Sequence, residues 1–141
     1  MTSLVVDTSV VFKWYRQPGD EDYILQAVSI LEGHLHGDLE IHVPDLLFYE
    51  LGNILRSKET LVSKDALTIL RGTFALALQI HPIDLLLSEG TFRFAREHEI
   101  TFYDASFVAL SFLLDTSFVT ADKKLFAKVK SLPTAIFLGN L

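Results

Sequence analysis

Short apolar runs alternate along this chain with longer segments whose apolar residues recur at helical spacing. The short runs lie at residues 4–6, 40–43, 80–83, 117–120 and 134–138. Runs of this length and composition are typical of buried strands. Strands that alternate with helices of roughly 10–16 residues indicate a parallel sheet with helices on both of its faces. We therefore predict a three-layer α/β/α fold.

Two neighbouring segments depart from this alternation. Residues 44–59 and 63–79 both have the pattern of a helix, and no strand separates them. Serine is a favoured helix cap, so we expect Ser63 to cap the second of these helices. The sequence thus predicts a helical hairpin inserted in the α/β core.

The chain's composition fits one globular domain over residues 1–141. Half of the 141 residues are hydrophobic and 11 are phenylalanine, enough for a sizeable core. No apolar run approaches the roughly 20 residues of a membrane helix, and the first residues do not have the pattern of a signal peptide. Cysteine is absent, which excludes disulfides, thiolate nucleophiles and zinc–thiolate sites. We expect a cytoplasmic protein that does not contact a membrane.

The net charge of −6 limits how the chain can bind nucleic acid. A protein that holds nucleic acid by charge alone is usually basic. Either nucleic acid is not the partner, or bound cations and a local basic patch offset the acidic total.

Three aspartates precede or open predicted helices, and two of them come after a predicted strand. Asp7 follows the first apolar run, Asp122 follows the fourth, and Asp104 is expected to open a helix after the segment "TFY". Each can be a helix N-cap, a position that aspartate favours. However, ligands of open α/β sheets bind at the carboxyl ends of the strands. Three aspartates at that edge favour a shared site.

Glu50 adds a fourth carboxylate, at the border of the apolar stripe of the helix at 44–59. We expect it to be half-buried, and a buried carboxylate costs several kcal/mol unless it is paired or binds a cation. Asn53, one turn further on, can orient it. The alternative is that Glu50 faces solvent or pairs with Arg56 or Arg71.

Four carboxylates at one site repel one another unless a cation or protons neutralise them. Mg²⁺ and Mn²⁺ prefer oxygen ligands and usually take one or two carboxylates directly, with several waters. No histidine or cysteine stands at matching positions, so the pattern favours such a metal over zinc. A metal of this kind can activate water for phosphodiester hydrolysis.

The four acidic segments, in order, are "VVDTSV", "PDLLFYELGNIL", "TFYDASFVALS" and "FVTADKKLF". Together they resemble the acidic motifs of PIN-domain proteins, and of the VapC ribonuclease toxins in particular. The resemblance spans nearly the whole chain and implies four or five parallel strands. It implies a metal site of Asp7, Glu50, Asp104 and Asp122, with Asp7 and Asp104 as direct ligands. Glu50 and Asp122 would then act through waters or complete a second ion's shell.

The resemblance also implies supporting hydroxyl groups. Thr8 or Ser9 and Thr120 match polar positions that support the carboxylates in this family, although from sequence alone Thr120 is better explained as a β-former. One departure concerns the second metal. Some relatives have a further acidic residue after the fourth motif, whereas Lys123 and Lys124 follow Asp122 here. A second ion would therefore bind weakly, or only together with the substrate phosphate.

Expected partners follow from the same resemblance: an RNA substrate, a cognate antitoxin and a second copy of the chain in a homodimer. The antitoxin groove would lie near the helices at 10–16 and 44–58. Lys123 and Lys124, joined by Lys13 and Arg16, can hold RNA phosphates. As an alternative, the lysines of the final helix are a solvated face.

The main interpretation is a Mg²⁺- or Mn²⁺-dependent endoribonuclease toxin. Two alternatives remain open. A phosphoryl hydrolase of the aspartate type would need a second aspartate two residues after Asp7, and position 9 is serine. A catalytically degenerate metal- or protein-binding PIN module would bind metal without hydrolysis.

Overall fold

The computed structural model describes residues 2–141, which form five strands and seven α-helices. The strands are β1 (Thr2–Val6), β2 (Leu39–Pro44), β3 (Gln79–His81), β4 (Ser117–Thr120) and β5 (Ala135–Phe137). The helices are α1 (Thr8–Lys13), α2 (Ile24–Leu35), α3 (Leu46–Ser57), α4 (Ser63–Ala75), α5 (Leu85–His98), α6 (Phe102–Leu113) and α7 (Lys123–Val129), followed by a short 3-10 helix at Leu138–Asn140.

All five strands are parallel and lie in the order β3-β2-β1-β4-β5. The three-layer α/β/α prediction is confirmed, and α3 and α4 form the predicted helical pair without a strand between them. Strand β1 lies at the centre, between β2 and β4. Because Val6 is paired with Val119, the residues that follow β1 and β4 emerge side by side at one edge of the sheet.

The core is built on the three central strands. Val5, Val6, Ile41, Val43 and Val119 are fully buried, since helices cover both faces of the sheet. Each such side chain stabilises the fold by roughly 1.5–3 kcal/mol relative to exposure. Residues 105–111 of α6 are all buried as well. This packing fixes the start of α6, and with it Asp104, against the carboxyl edge of the sheet.

Two helix starts differ from the expectation. Helix α6 begins at Phe102, and its cap is Thr101, whose side chain accepts the Asp104 N–H at 3.0 Å. Asp104 therefore lies within the first turn and does not open the helix. Ser63 is the first residue of α4 and makes no capping bond, so the predicted serine cap is wrong. No helix within residues 2–141 is long and apolar enough to cross a lipid bilayer.

Candidate active site

Asp7 lies at the junction of β1 and α1, where it is the N-cap of the helix. Its N–H donates to the Val119 carbonyl at 3.2 Å, which extends the β1–β4 pairing by one residue. Its carboxylate accepts hydrogen bonds from the Val10 N–H at 3.3 Å and from the hydroxyls of Ser9 and Thr120. The residue is only 6% exposed, so a carboxylate sits inside the protein with neutral donors around it.

Burial raises the pKa of Asp7 from 3.8 to about 7. The hydrogen bonds from Ser9, Thr120 and Val10 act in the opposite direction, and the nearby charge of Asp104 raises the pKa further. At neutral pH this carboxyl group is therefore poised between its protonated and charged forms. A cation beside it would favour the charged form.

Glu50 lies on α3 and is half-buried, and Thr8 Oγ1 donates to its Oε1 at 2.7 Å. This bond joins the start of α1 to the middle of α3. Burial raises the pKa of Glu50, and the charge of Asp104 raises it further. Within residues 2–141 no ion pair includes Glu50, so the alternative pairing with an arginine is wrong.

Asn53 does not orient Glu50, which corrects our expectation. Its Oδ1 accepts a hydrogen bond from Arg56 Nε at 3.0 Å, and the residue is exposed. No hydrogen bond joins Asn53 to Glu50 in the described part of the chain. The group that holds Glu50 is the hydroxyl of Thr8 on the neighbouring helix.

Asp122 is the N-cap of α7, where its Oδ1 accepts the N–H groups of Lys124 and Leu125 at 3.0 and 3.1 Å. Asp7 and Asp122 each cap a helix, and this role does not prevent them from belonging to one shared site. Asp104 is half-buried, and its pKa is raised by burial and by the charge of Asp122, against the hydrogen bond to Thr101. Asp104 thus links the four carboxylates electrostatically, because its charge acts on Asp7 and Glu50 and the charge of Asp122 acts on it.

Thr120 links two of these carboxylates. It is fully buried; its hydroxyl donates to Asp7 and accepts the Asp122 N–H at 3.0 Å. Ser9 makes a similar bridge, because its hydroxyl donates to Asp7 and accepts the Ala121 N–H at 3.0 Å. Thr120 is therefore not only a β-former, as the sequence alone suggested. Its hydroxyl orients Asp7 and fixes the start of α7.

The donor set fits a hard divalent cation, although the four carboxylates do not form a finished cage. Within the described residues, no three Asp, Glu or His side chains are gathered closely enough to hold a metal ion by themselves. Mg²⁺ needs no such cage, because it binds one or two carboxylates and keeps several waters. None of the four carboxylates in residues 2–141 has a cationic side chain within ion-pair distance. Their mutual repulsion is therefore left for a bound ion or for protons to relieve.

Residues 4–132, which include all four carboxylates, match the family described as PIN domain. The chain belongs to the PIN domain family. It is 31% identical over 136 residues to Ribonuclease VapC3 from Pyrobaculum aerophilum, a match that covers 93% of this chain and 98% of that protein.

Solved structures from other organisms share the fold. A Pyrobaculum aerophilum crystal structure superposes with a TM-score of 0.67 at 25% identity, covering 99% of this chain and 91% of the other. A toxin–antitoxin complex from Klebsiella pneumoniae superposes with a TM-score of 0.69 at 16% identity, covering 96% of this chain and 97% of the other. The resemblance to VapC proteins predicted from the four acidic motifs is confirmed.

The four basic residues that were predicted to bind RNA fall into two groups. Lys123 and Lys124 are exposed at the start of α7, directly after Asp122. Lys13 is only 7% exposed, and its Nζ lies 2.7 Å from Glu21 Oε1. Arg16 Nε lies 3.5 Å from the same carboxylate group. Because the loop after α1 brings Glu21 to both residues, RNA phosphates would have to compete with this carboxylate, and RNA binding by Lys13 and Arg16 stays a prediction.

Proposed function

We propose that this PIN domain is a divalent-metal-dependent endoribonuclease that hydrolyses RNA phosphodiester bonds. The observation that carries the proposal is the buried Asp7 carboxyl group. Its pKa is raised to about 7, the charge of Asp104 acts on it, Asp104 is in turn linked to Glu50 and Asp122, and no cationic side chain of the described chain pairs with any of the four. Leaving buried charges unpaired costs several kcal/mol. A bound cation would remove this cost, so the arrangement favours a cation site. The similarity to Ribonuclease VapC3 supports RNA as the substrate.

In this proposal Asp7 and Asp104 hold the metal directly, and Glu50 and Asp122 act through water. Mg²⁺ or Mn²⁺ would supply a polarised phosphoryl group and an attacking water of lowered pKa. Ser9 and Thr120 keep the Asp7 carboxylate oriented, which preserves the position of the site when it is empty. Replacing a hydrogen-bond partner of a metal ligand typically lowers metal affinity or activity by roughly 10–100-fold.

Glu50 is the best candidate for the proton acceptor. Its Oε1 is held by Thr8, and its Oε2 makes no hydrogen bond or ion pair within residues 2–141. Because burial and Asp104 raise its pKa, it takes up a proton more readily than an ordinary glutamate. We assign Glu50 Oε2 to receive the proton of the attacking water.

Cleavage of a mixed RNA pool by the purified protein tests this function. We expect cleavage with Mg²⁺ or Mn²⁺, loss of cleavage in EDTA, and recovery when excess metal is added back. Equal cleavage in EDTA would contradict a metal-dependent mechanism. Metal binding without cleavage would favour the degenerate PIN module instead.

We further propose that the enzyme is the toxin of a toxin–antitoxin pair, as its similarity to a toxin–antitoxin complex suggests. A groove of about 160 Å³ with a mixed polar and apolar lining lies between α1, α3 and α4; its lining includes Phe12, Tyr15, Leu55, Leu61 and Ile69, together with Arg16 and Lys58. Thr8, which holds Glu50, lies one turn before Phe12 on α1, so a peptide that extended by one turn along α1 from this groove would approach the carboxylates. A basic antitoxin side chain could then neutralise them in place of metal. Unchanged cleavage after addition of the cognate antitoxin would rule out this form of inhibition.

A homodimer is proposed on the exposed apolar residues of α5 and α6. Leu85, Leu86 and Phe112 are 75%, 65% and 69% exposed, an unusual concentration for a monomer's surface. Sedimentation equilibrium should give the mass of two chains, and Leu86→Glu should reduce it to one. A monomer at all concentrations would contradict this part of the proposal.

A further inference from the structure

An apolar groove of about 320 Å³ opens beside the carboxylates. It lies where α3, α5 and α6 begin, and its lining includes Asp45, Leu46, Tyr49, Ile83, Phe102 and Tyr103. Two of these residues are next in sequence to carboxylates of the candidate site, since Tyr49 precedes Glu50 and Tyr103 precedes Asp104. The groove and the carboxylates are therefore carried by the same two helices, α3 and α6, at positions next to each other in sequence.

Both tyrosines present free aromatic surface. Tyr49 is 77% exposed and Tyr103 is 62% exposed, and neither ring pairs with another aromatic ring in residues 2–141. Exposed rings beside a backbone-binding site are the usual platform on which proteins stack unpaired bases. The apolar floor contributed by Leu46 and Ile83 suits the face of a base.

Asp45 adds a polar group to the wall of this groove. It is half-buried, and its N–H donates to the His81 carbonyl at 3.1 Å. Its carboxylate makes no hydrogen bond to the start of α3 and takes part in no ion pair of the described chain. A carboxylate only accepts hydrogen bonds, through two adjacent oxygens.

The edge of a base that matches such a carboxylate has two adjacent donors. Guanine offers its N1–H and N2–H groups side by side on the Watson–Crick edge. Adenine, cytosine and uracil each place an acceptor next to their donor there, and an acceptor would face the carboxylate unfavourably. Two parallel bonds to a charged carboxylate are also stronger than bonds to a neutral acceptor.

We propose that this groove binds an unpaired guanine of the substrate RNA next to the scissile phosphate. Tyr49 and Tyr103 stack on the base, and Asp45 accepts its N1–H and N2–H. The proposal rests on the ribonuclease function above and narrows its substrate to single-stranded RNA, because pairing in a duplex occupies the same edge of guanine.

Sequencing the cut ends of a randomised single-stranded RNA, cleaved with Mg²⁺, tests the proposal. The wild-type protein should enrich guanine at one fixed position beside the cut, by roughly tenfold over the other bases. Asp45→Asn should remove most of this enrichment. Asp65→Asn, the same change on the exposed first turn of α4, should retain it.

Single-turnover cleavage of a guanine-containing oligonucleotide tests the stacking. Tyr103→Leu should lower kcat/KM by roughly tenfold, and Tyr103→Phe should lower it less because the ring is kept. Tyr49→Leu provides a second variant if Tyr103→Leu folds poorly. Far-UV circular dichroism of each variant establishes that it is folded.

The outcomes separate this inference from the ribonuclease function. Wild-type cleavage without a guanine preference, or with the same preference in Asp45→Asn, would overturn the guanine site and leave the ribonuclease in place. If the Asp45 or tyrosine variants changed the oligomeric mass of the protein but not its cut sites, a second copy of the chain would cover the groove, and the guanine site would be overturned. Absence of RNA cleavage under all conditions would overturn both.

Discussion

Replacing Asp104 with asparagine should lower metal-dependent RNA cleavage by roughly a hundredfold or more without unfolding the protein. Asp104 is the carboxylate that acts on both Asp7 and Glu50, raising the pKa of each. Asparagine keeps the size of the side chain but removes the charge that would hold a cation. The Asp104 N–H still reaches Thr101, so α6 keeps its cap.

The measurement is the initial rate of RNA cleavage at saturating Mg²⁺, with Asp65→Asn as the matched control. Asp65 lies in the first turn of α4, as Asp104 does in α6, but it is exposed. The control should cleave at the wild-type rate. Equal rates for Asp104→Asn and the wild type would show that a contaminant cleaves the RNA.

The fold could be predicted from the sequence because its three central strands are largely buried. Apolar runs such as residues 4–6 have no other stable place in a chain of this size, and helices long enough to cross over the sheet separate them. The start of α6 was placed wrongly, although the sequence carries its signal. Thr101 followed three residues later by Asp104 resembles a capping box, which fixes the helix start at Phe102.

The position of the site could also be predicted, but the contacts inside it could not. Asp7 and Asp122 follow from the ends of two strands, whereas Asp104 and Glu50 lie on helices and were joined to the site by the resemblance to PIN-domain motifs. The bond from Thr120 to Asp7 joins residues 113 apart and depends on the pairing of Val6 with Val119. The sequence does not give that register. Likewise the burial of Lys13 depends on the path of the loop that brings Glu21 to it.

In EDTA, the free energy of unfolding of the wild-type protein should fall, relative to Asp7→Asn, as pH rises from about 4 to 7. Asp7 has an ordinary pKa of 3.8 when unfolded and a pKa of about 7 when folded. Well below pH 3.8 the carboxyl group is protonated in both states, so it does not change the free energy of unfolding. Between the two values the unfolded chain releases the proton and the folded chain keeps it, so stability is lost, up to about 4 kcal/mol by pH 7.

Urea unfolding of both proteins at pH 4, 5.5 and 7 measures this difference. Other carboxyl groups titrate in the same range, but they are common to both proteins and largely cancel. A difference that stays constant across this range would mean that Asp7 has an ordinary pKa in the folded protein. The neutral donors around Asp7 would then be enough to stabilise its charge, and the observation that carries the proposed metal site would be lost.

Mg²⁺ should reverse the loss in the wild type and have little effect on Asp7→Asn. A ligand present at about 100 times its Kd stabilises the folded state by about 2.7 kcal/mol, provided that it does not bind the unfolded chain. The metal binds the charged carboxylate, so its effect should be larger at pH 7 than at pH 5.5. The burial of Asp7 that destabilises the metal-free protein is thus the same feature that prepares the site for a cation. Asp7→Asn should therefore be more stable than the wild type without metal and should no longer bind the metal.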